Sequence, residues 1–260
     1  MIEAPEMSAK ATQSSRKLFC LVAAIIVFGS GFLAGCNPIG PSSSPGVSEG
    51  FSDAGGPPVM RRLTRSQLEQ VITDIFGSTI ELGGRFEPDQ RENGLLAVGA
   101  GKVSVTTSGL QQYDVMARNV AAQVTSEDRR ETLIGCVPKD ITSRDEACAK
   151  QFLSEVGRLL YRRPLKEEEL KVRVQNANAA ADKFGNFYDG LEMSIAGMLI
   201  APQFIFRQET SEPDPDNPGA LRLDSFSKAS RLSFFLWNAA PDDQLLNAAM
   251  HGELHDDRGR

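Results

Sequence analysis

His251 and His255, the two histidines of the chain, stand four residues apart with Glu253 between them. On a helix that spacing puts both imidazoles on one face, which could begin a metal site. The pattern is not His-Glu-x-x-His, and Gly252 weakens the helix that would carry it, so no metal is expected. Tyr161-Arg162-Arg163 offers guanidinium forks able to grip a carboxylate or phosphate. The competing and preferred reading lets these arginines lie over a neighbouring helix or pair with nearby glutamates. Glu167-Glu168-Glu169 reads as a solvated helix start, where negative charge complements the helix dipole, rather than as an acid/base pair. Gly46-Val47-Ser48-Glu49-Gly50 matches G-x-S-x-G but lacks the strand and helix that expose a nucleophilic serine. Gly99-Ala100-Gly101-Lys102 lacks the earlier glycine and the following Ser or Thr of a phosphate loop. No catalytic residue is assigned, no cofactor is expected, and whether the protein is an enzyme is left open.

One cysteine carries chemistry of another kind. Arg16-Lys17 gives a short basic flank, Leu18 to Phe32 is almost unbroken apolar, and Leu33-Ala34-Gly35 leads to Cys36. Basic, apolar, then small is the order of an export signal. Ending in Leu-Ala-Gly-Cys, it resembles a bacterial lipoprotein signal, which implies that residues 1–35 are removed and that Cys36 is lipidated. An uncleaved membrane helix is the alternative, but the run is short for a span of about 20 residues. Several acyl chains, at about 0.8 kcal/mol per buried methylene, hold a protein firmly to a membrane. Asn37, rather than aspartate, after the cysteine favours the outer membrane by analogy. The expected location is the cell envelope, outer membrane or periplasmic side.

Removing residues 1–35 takes away Lys10, Arg16 and Lys17 together with Glu3 and Glu6, leaving 25 basic and 32 acidic side chains, a net of −7. That balance argues against nucleic acid, whose phosphates need basic partners, and against a polybasic grip on anionic lipid. Cys136 and Cys148 are the cysteines left after the signal and Cys36. A lone pair in an exported chain reads first as a disulfide; closing so short a loop contributes about 2–3 kcal/mol.

The periodicity predicts an all-α protein. Residues 36–58, rich in Pro, Ser and Gly, read as a disordered tether. Residues 59–210 read as a domain of about five helices. Thr64 and Gln67 form a capping box before Leu68, Val71, Ile72 and Ile75, and Gly77 closes that helix. Ser108 and Gln111 suggest a second box ahead of Leu110, Tyr113, Met116, Val120 and Val124. Further helices are expected at 145–161 (Cys148, Phe152, Val156, Leu159 and Leu160 inward), 166–183 and 186–201. Residues 211–220, acidic and Pro-rich, read as a linker. Residues 221–260 read as the start of a further, incomplete helical domain, with Leu232, Phe235 and Leu236 forming one apolar face that Phe234 and Trp237 widen.

Five phrases recur in a familiar order. They are Arg61-Arg62-Leu63-Thr64, Tyr161-Arg162-Arg163-Pro164-Leu165, Ala201-Pro202-Gln203-Phe204 with Phe206-Arg207-Gln208-Glu209, Leu221-Arg222-Leu223-Asp224, and Ala229-Ser230-Arg231-Leu232-Ser233-Phe234-Phe235-Leu236-Trp237 followed by Pro241-Asp242-Asp243. Together, over about residues 59–257, they resemble planctomycete-type exported proteins built from serial domains of unknown function, often found with c-type cytochrome modules. The resemblance implies a chain that continues well past Trp237 in other members, so this one is expected to be C-terminally truncated. It implies envelope proteins or c-type cytochromes as partners, although no Cys-x-x-Cys-His is present to attach haem here. The expected function is a membrane-anchored structural or interaction module without activity of its own. The alternative is a fragment of an envelope oxidoreductase system.

Overall fold

The computed structural model describes residues 58–95, 100–101 and 104–256. The export signal, Cys36, residues 37–57 of the expected tether, the Gly46–Gly50 stretch and Gly99, Lys102 and Val103 lie outside the described residues. The described residues belong to one compact unit, all-α among those residues apart from two short ribbons.

The helices start and stop where local chemistry dictates. In α1 (Arg65–Phe76) the Thr64 hydroxyl accepts from Gln67 N at 3.3 Å while Thr64 N donates to the Gln67 side chain at 3.1 Å, the reciprocal capping box. The chain leaves at Gly77 with φ +92°. The next long helix, α2 (Thr107–Thr125), is capped two residues earlier than expected: Thr106, not Ser108, accepts from Gly109 N at 3.0 Å. Ser108 instead hydrogen-bonds the Thr106 hydroxyl. A single turn, α3 (Arg130–Leu133), precedes α4 (Glu146–Tyr161), which Asp145 caps through Cys148 N. The Cys136–Cys148 disulfide is formed and pins the preceding loop to this helix.

Helices α5 (Glu167–Phe184) and α6 (Phe187–Leu199) make an antiparallel pair across a two-residue turn. Gly185, in left-handed conformation, closes α5 onto Ala181 O at 2.8 Å. Asn186 then caps α6 through Tyr188 N. Helix α6 is the centre of the molecule, packed against both α5 and α2. Leu191, Ile195, Met198 and Leu199 are fully buried against Met116, Val120 and Val124 of one continuous core. Each such side chain contributes about 1.5–3 kcal/mol relative to exposure. Leu110, placed on the inner face by its spacing, is exposed instead. Leu159 is only half-buried.

After the single turn α7 (Pro202–Ile205) the chain turns into β2 (Phe206–Gln208), which pairs antiparallel with β1 (Met60–Arg62). The expected linker holds a second ribbon, in which β3 (Ser211–Pro213) pairs with β4 (Leu221–Leu223). The Glu212–Arg222 ion pair ties the strands together, and in the turn the Asp214 carboxylate accepts from Asp216 N and Asn217 Nδ2. Helix α8 (Ser225–Leu236) and helix α9 (Asp243–Met250) follow, with a 3₁₀ turn at Glu253–His255.

The inward face of α8 is not the one expected. Ser227, Ala229, Ser230, Ser233 and Phe234 are buried, while Leu232, Phe235, Leu236 and Trp237 are exposed. Small residues let the helix sit close, and the Ser233 hydroxyl reaches Ala239 O at 2.9 Å. The Ser227 hydroxyl likewise accepts from Thr210 N at 2.9 Å.

The α5–α6 pair depends on Gly190: a Cβ there would stand 2.4 Å from Ala177 O and 2.7 Å from Ala181 Cβ. A Cβ on Gly197 would meet only the flexible end of Arg173 at 3.0 Å. Gly190→Ala should therefore cost roughly 1–3 kcal/mol by overpacking. Gly197→Ala should be neutral, or gain up to about 1 kcal/mol from helix propensity. Urea unfolding of both variants checks this; equal midpoints would refute the close approach.

Candidate functional site

The Tyr161-Arg162-Arg163 cluster sits where α4 ends, and its forks are used internally. Arg162 takes the left-handed conformation, φ +58°, and turns its side chain inward, where it is 3% exposed. Its guanidinium donates to Leu160 O at 2.9 Å, to Gln203 O and Phe206 O at 2.7 Å, and to Phe204 O at 3.5 Å. A cation placed on the free carbonyls of two helix ends is favoured by both dipoles. Burial, with Arg207 and Arg163 nearby, lowers this guanidinium to about 9, so it stays charged at neutral pH.

Arg163 is engaged too. Its two terminal nitrogens meet the two oxygens of Glu169 at 2.8 Å each, and Lys166 N donates to the same carboxylate. Arg163 holds Glu169 down to about 2. Burial raises the Tyr161 phenol, whose oxygen accepts from Arg173 at 3.1 Å. A cavity of about 470 Å³ opens beside these groups, with Thr210 and Asp224 on its far wall. Those two are hydrogen-bonded to each other. The preferred reading of the cluster, pairing with a nearby glutamate, therefore describes Arg163, while Arg162 is a structural bolt.

The two histidines do not converge. Gly252, at φ +74°, breaks the chain between them. His251 caps the end of α9 with Nδ1 at Asn247 O, 2.8 Å away. His255 lies in the 3₁₀ turn with Nδ1 2.9 Å from Lys228 Nζ. Its imidazole is held below the usual range by burial and by Lys228 and Arg222. Among the described residues no group of three His, Cys, Asp or Glu is placed to hold a metal. Likewise, no described helix is long and apolar enough to cross a membrane.

A second cavity, of about 410 Å³, lies where the β1–β2 ribbon meets the start of α1 and one side of α8. Arg61, Arg207 and Arg231 line it, together with Ser66, Phe234 and Asn238. Sequence reading missed this gathering, because no spacing links positions so far apart. The available signal was that each arginine stands inside one of the recurring phrases.

The Arg163–Glu169 pair makes a pH prediction. The folded carboxylate, at about 2, lies below its unbound value of 4.5. Its stabilisation is therefore fully present above pH 4.5 and is lost as pH falls towards 2, on the order of 1–3 kcal/mol. Urea midpoints followed from pH 6 to pH 2.5 should fall less steeply in Glu169→Gln than in the wild type. Parallel curves would show that the pair contributes nothing.

Three protein-family models match the chain in series. One described as PSD3, protein of unknown function (DUF1587), covers residues 61–126; PSD5, protein of unknown function (DUF1595), covers 148–209; and PSD4, protein of unknown function (DUF1592), covers 223–260. No curated protein and no solved structure matches. The second cavity draws Arg61 from the first matched segment, Arg207 from the second and Arg231 from the third. The chain is thus a multi-domain protein of serial domains of unknown function, folded about a shared core.

Proposed function

We propose that the protein is a lipid-anchored lipoprotein of a bacterial cell envelope, held at the outer membrane or periplasmic side through Cys36, and that it serves as an interaction module. The observation that carries the module reading is the exposed apolar group at the end of α8. Phe235, Leu236 and Trp237 are 83%, 54% and 66% exposed, side by side. Aromatic side chains gathered on a surface are the composition of interface cores. Export is supported by the Cys136–Cys148 disulfide, a bond rare in the cytosol, and by the basic, apolar and small order that ends in Cys36.

A second reading makes the protein a component of an envelope oxidoreductase system working with c-type cytochromes. The serial order of the three matched domains supports it, being the order in which the resemblance to cytochrome-associated exported proteins is carried.

Metabolic labelling with an alkyne fatty acid should mark the wild type, which should sediment with membranes, and leave Cys36→Ser unlabelled. Equal labelling of both proteins would overturn the anchor. For the module, Phe235→Ser combined with Trp237→Ser should leave the melting temperature within about 2 °C, since exposed substitutions typically change stability by under 0.5 kcal/mol. The same variant should remove envelope cross-links formed by the wild type. If haem-stained c-type cytochromes are among the lost cross-links, the second reading stands; an unchanged cross-link pattern refutes the module.

A further inference from the structure

The cavity between β1, β2 and α8 holds more positive charge than the described residues neutralise. Arg61 and Arg207 are direct cross-strand partners in the β1–β2 register, and like charges directly opposite one another destabilise a ribbon. Arg231 adds a third guanidinium. Glu209 is the carboxylate beside this group, and its oxygens are already taken. Oε1 accepts from Arg231 Nε at 3.1 Å, and Oε2 accepts from Arg231 Nη2 and, at 3.0 Å, from Val59 N. The Glu209 side chain is only 6% exposed, so this pair is part of the wall. Among the described residues no carboxylate lies within ion-pair distance of Arg61 or Arg207.

Arg207 shows the imbalance most clearly. Its Nε is buried and has no hydrogen-bond partner. Its guanidinium lies 4.6 Å from the centre of the Phe234 ring, which closes one face of the fork and leaves its edge for a ligand. Burial and the repulsion of Arg61 and Arg231 lower it to about 10, and the effect of Arg61 exceeds the relief from Glu209. Ser66, in the first turn of α1, adds a hydroxyl to the rim, and Phe235 adds an apolar wall.

We propose that this cavity binds an organic carboxylate, whose carboxyl group bridges the Arg61 and Arg207 guanidinia while its apolar body lies against Phe234 and Phe235. Two planar forks match the two oxygens of one carboxylate. The anion meets the terminal nitrogens of the Arg207 fork and cancels the cross-strand repulsion. The apolar wall favours an aromatic or aliphatic acid over a bare inorganic anion. The site does not depend on whether the chain is lipid-anchored, and it joins the three matched segments through one ligand.

Isothermal titration of the full chain with benzoate, its uncharged counterpart benzamide and inorganic phosphate tests this. Benzoate should bind in one saturable step, at least tenfold more tightly than benzamide or phosphate. Arg61→Gln should weaken benzoate at least tenfold while raising the melting temperature of the unliganded protein, because it removes the repulsion. A structural arginine would give a lower melting temperature instead. Phe235→Ala, at a ring that is already exposed, should weaken benzoate severalfold and leave phosphate unchanged. Absence of saturable benzoate binding overturns the proposal, and so does wild-type affinity in Arg61→Gln. Phosphate binding as tightly as benzoate overturns the organic acid.

Discussion

A single buried cation holds the molecule's turning point. Arg162 leaves α4 in a left-handed conformation and spends its fork on carbonyls from its own helix end, from α7 and from the first residue of β2. Those carbonyls belong to chain reversals, where the backbone cannot satisfy itself. A neutral side chain at this position would leave several buried acceptors without donors, each costing about 1–3 kcal/mol. Lysine could not reach them together, since its ammonium is a point and not a planar fork. The direction of β2, and so the placing of Arg207 and Glu209, follows from this one side chain.

Downstream of that bolt, polar links join parts of the sequence that look separate. Glu209 receives both Arg231 from α8 and the Val59 amide from the start of the described chain. Gln67 of α1 donates to Asn238 at 2.8 Å, and Arg158 of α4 pairs with Asp243 of α9. Arg62, almost fully buried, lies 3.4 Å from both Glu87 and Asp89, fastening the loop ahead of α2. The buried core runs from Leu63 to Phe234 without a break at any matched segment's edge.

Much of this was legible before any coordinates. The helices at 65–76, 146–161, 167–184 and 187–199 follow from periodic apolar positions with proper caps, a signal confined to one stretch of chain. The pairing of Cys136 with Cys148 followed from cysteine arithmetic. What escaped depends on partners distant in sequence. Three-residue strands carry too little alternation to be seen, and β1 finds β2 only across most of the described chain. The face of α8 was misread because Leu232, Phe235 and Leu236 outweigh Ser227, Ser230 and Ser233 in hydrophobicity. Close packing and a hydroxyl bond to Ala239 O selected the small residues instead. The His251–His255 spacing was sound on an unbroken helix, and Gly252 broke it. The arginine cavity had no spacing to betray it.

The β1–β2 ribbon also sets a timetable. Val59 donates to Glu209 across 150 residues, so the first described strand to emerge has no partner until about three-quarters of the described chain has followed it. Meanwhile the α5–α6 hairpin, whose contacts are local, is free to form in microseconds to milliseconds. Closing the ribbon is then a late event. Throughout that interval Met60–Arg62 is an unpaired edge whose arginines repel one another between copies, a charge pattern that discourages strands from pairing with the wrong chain.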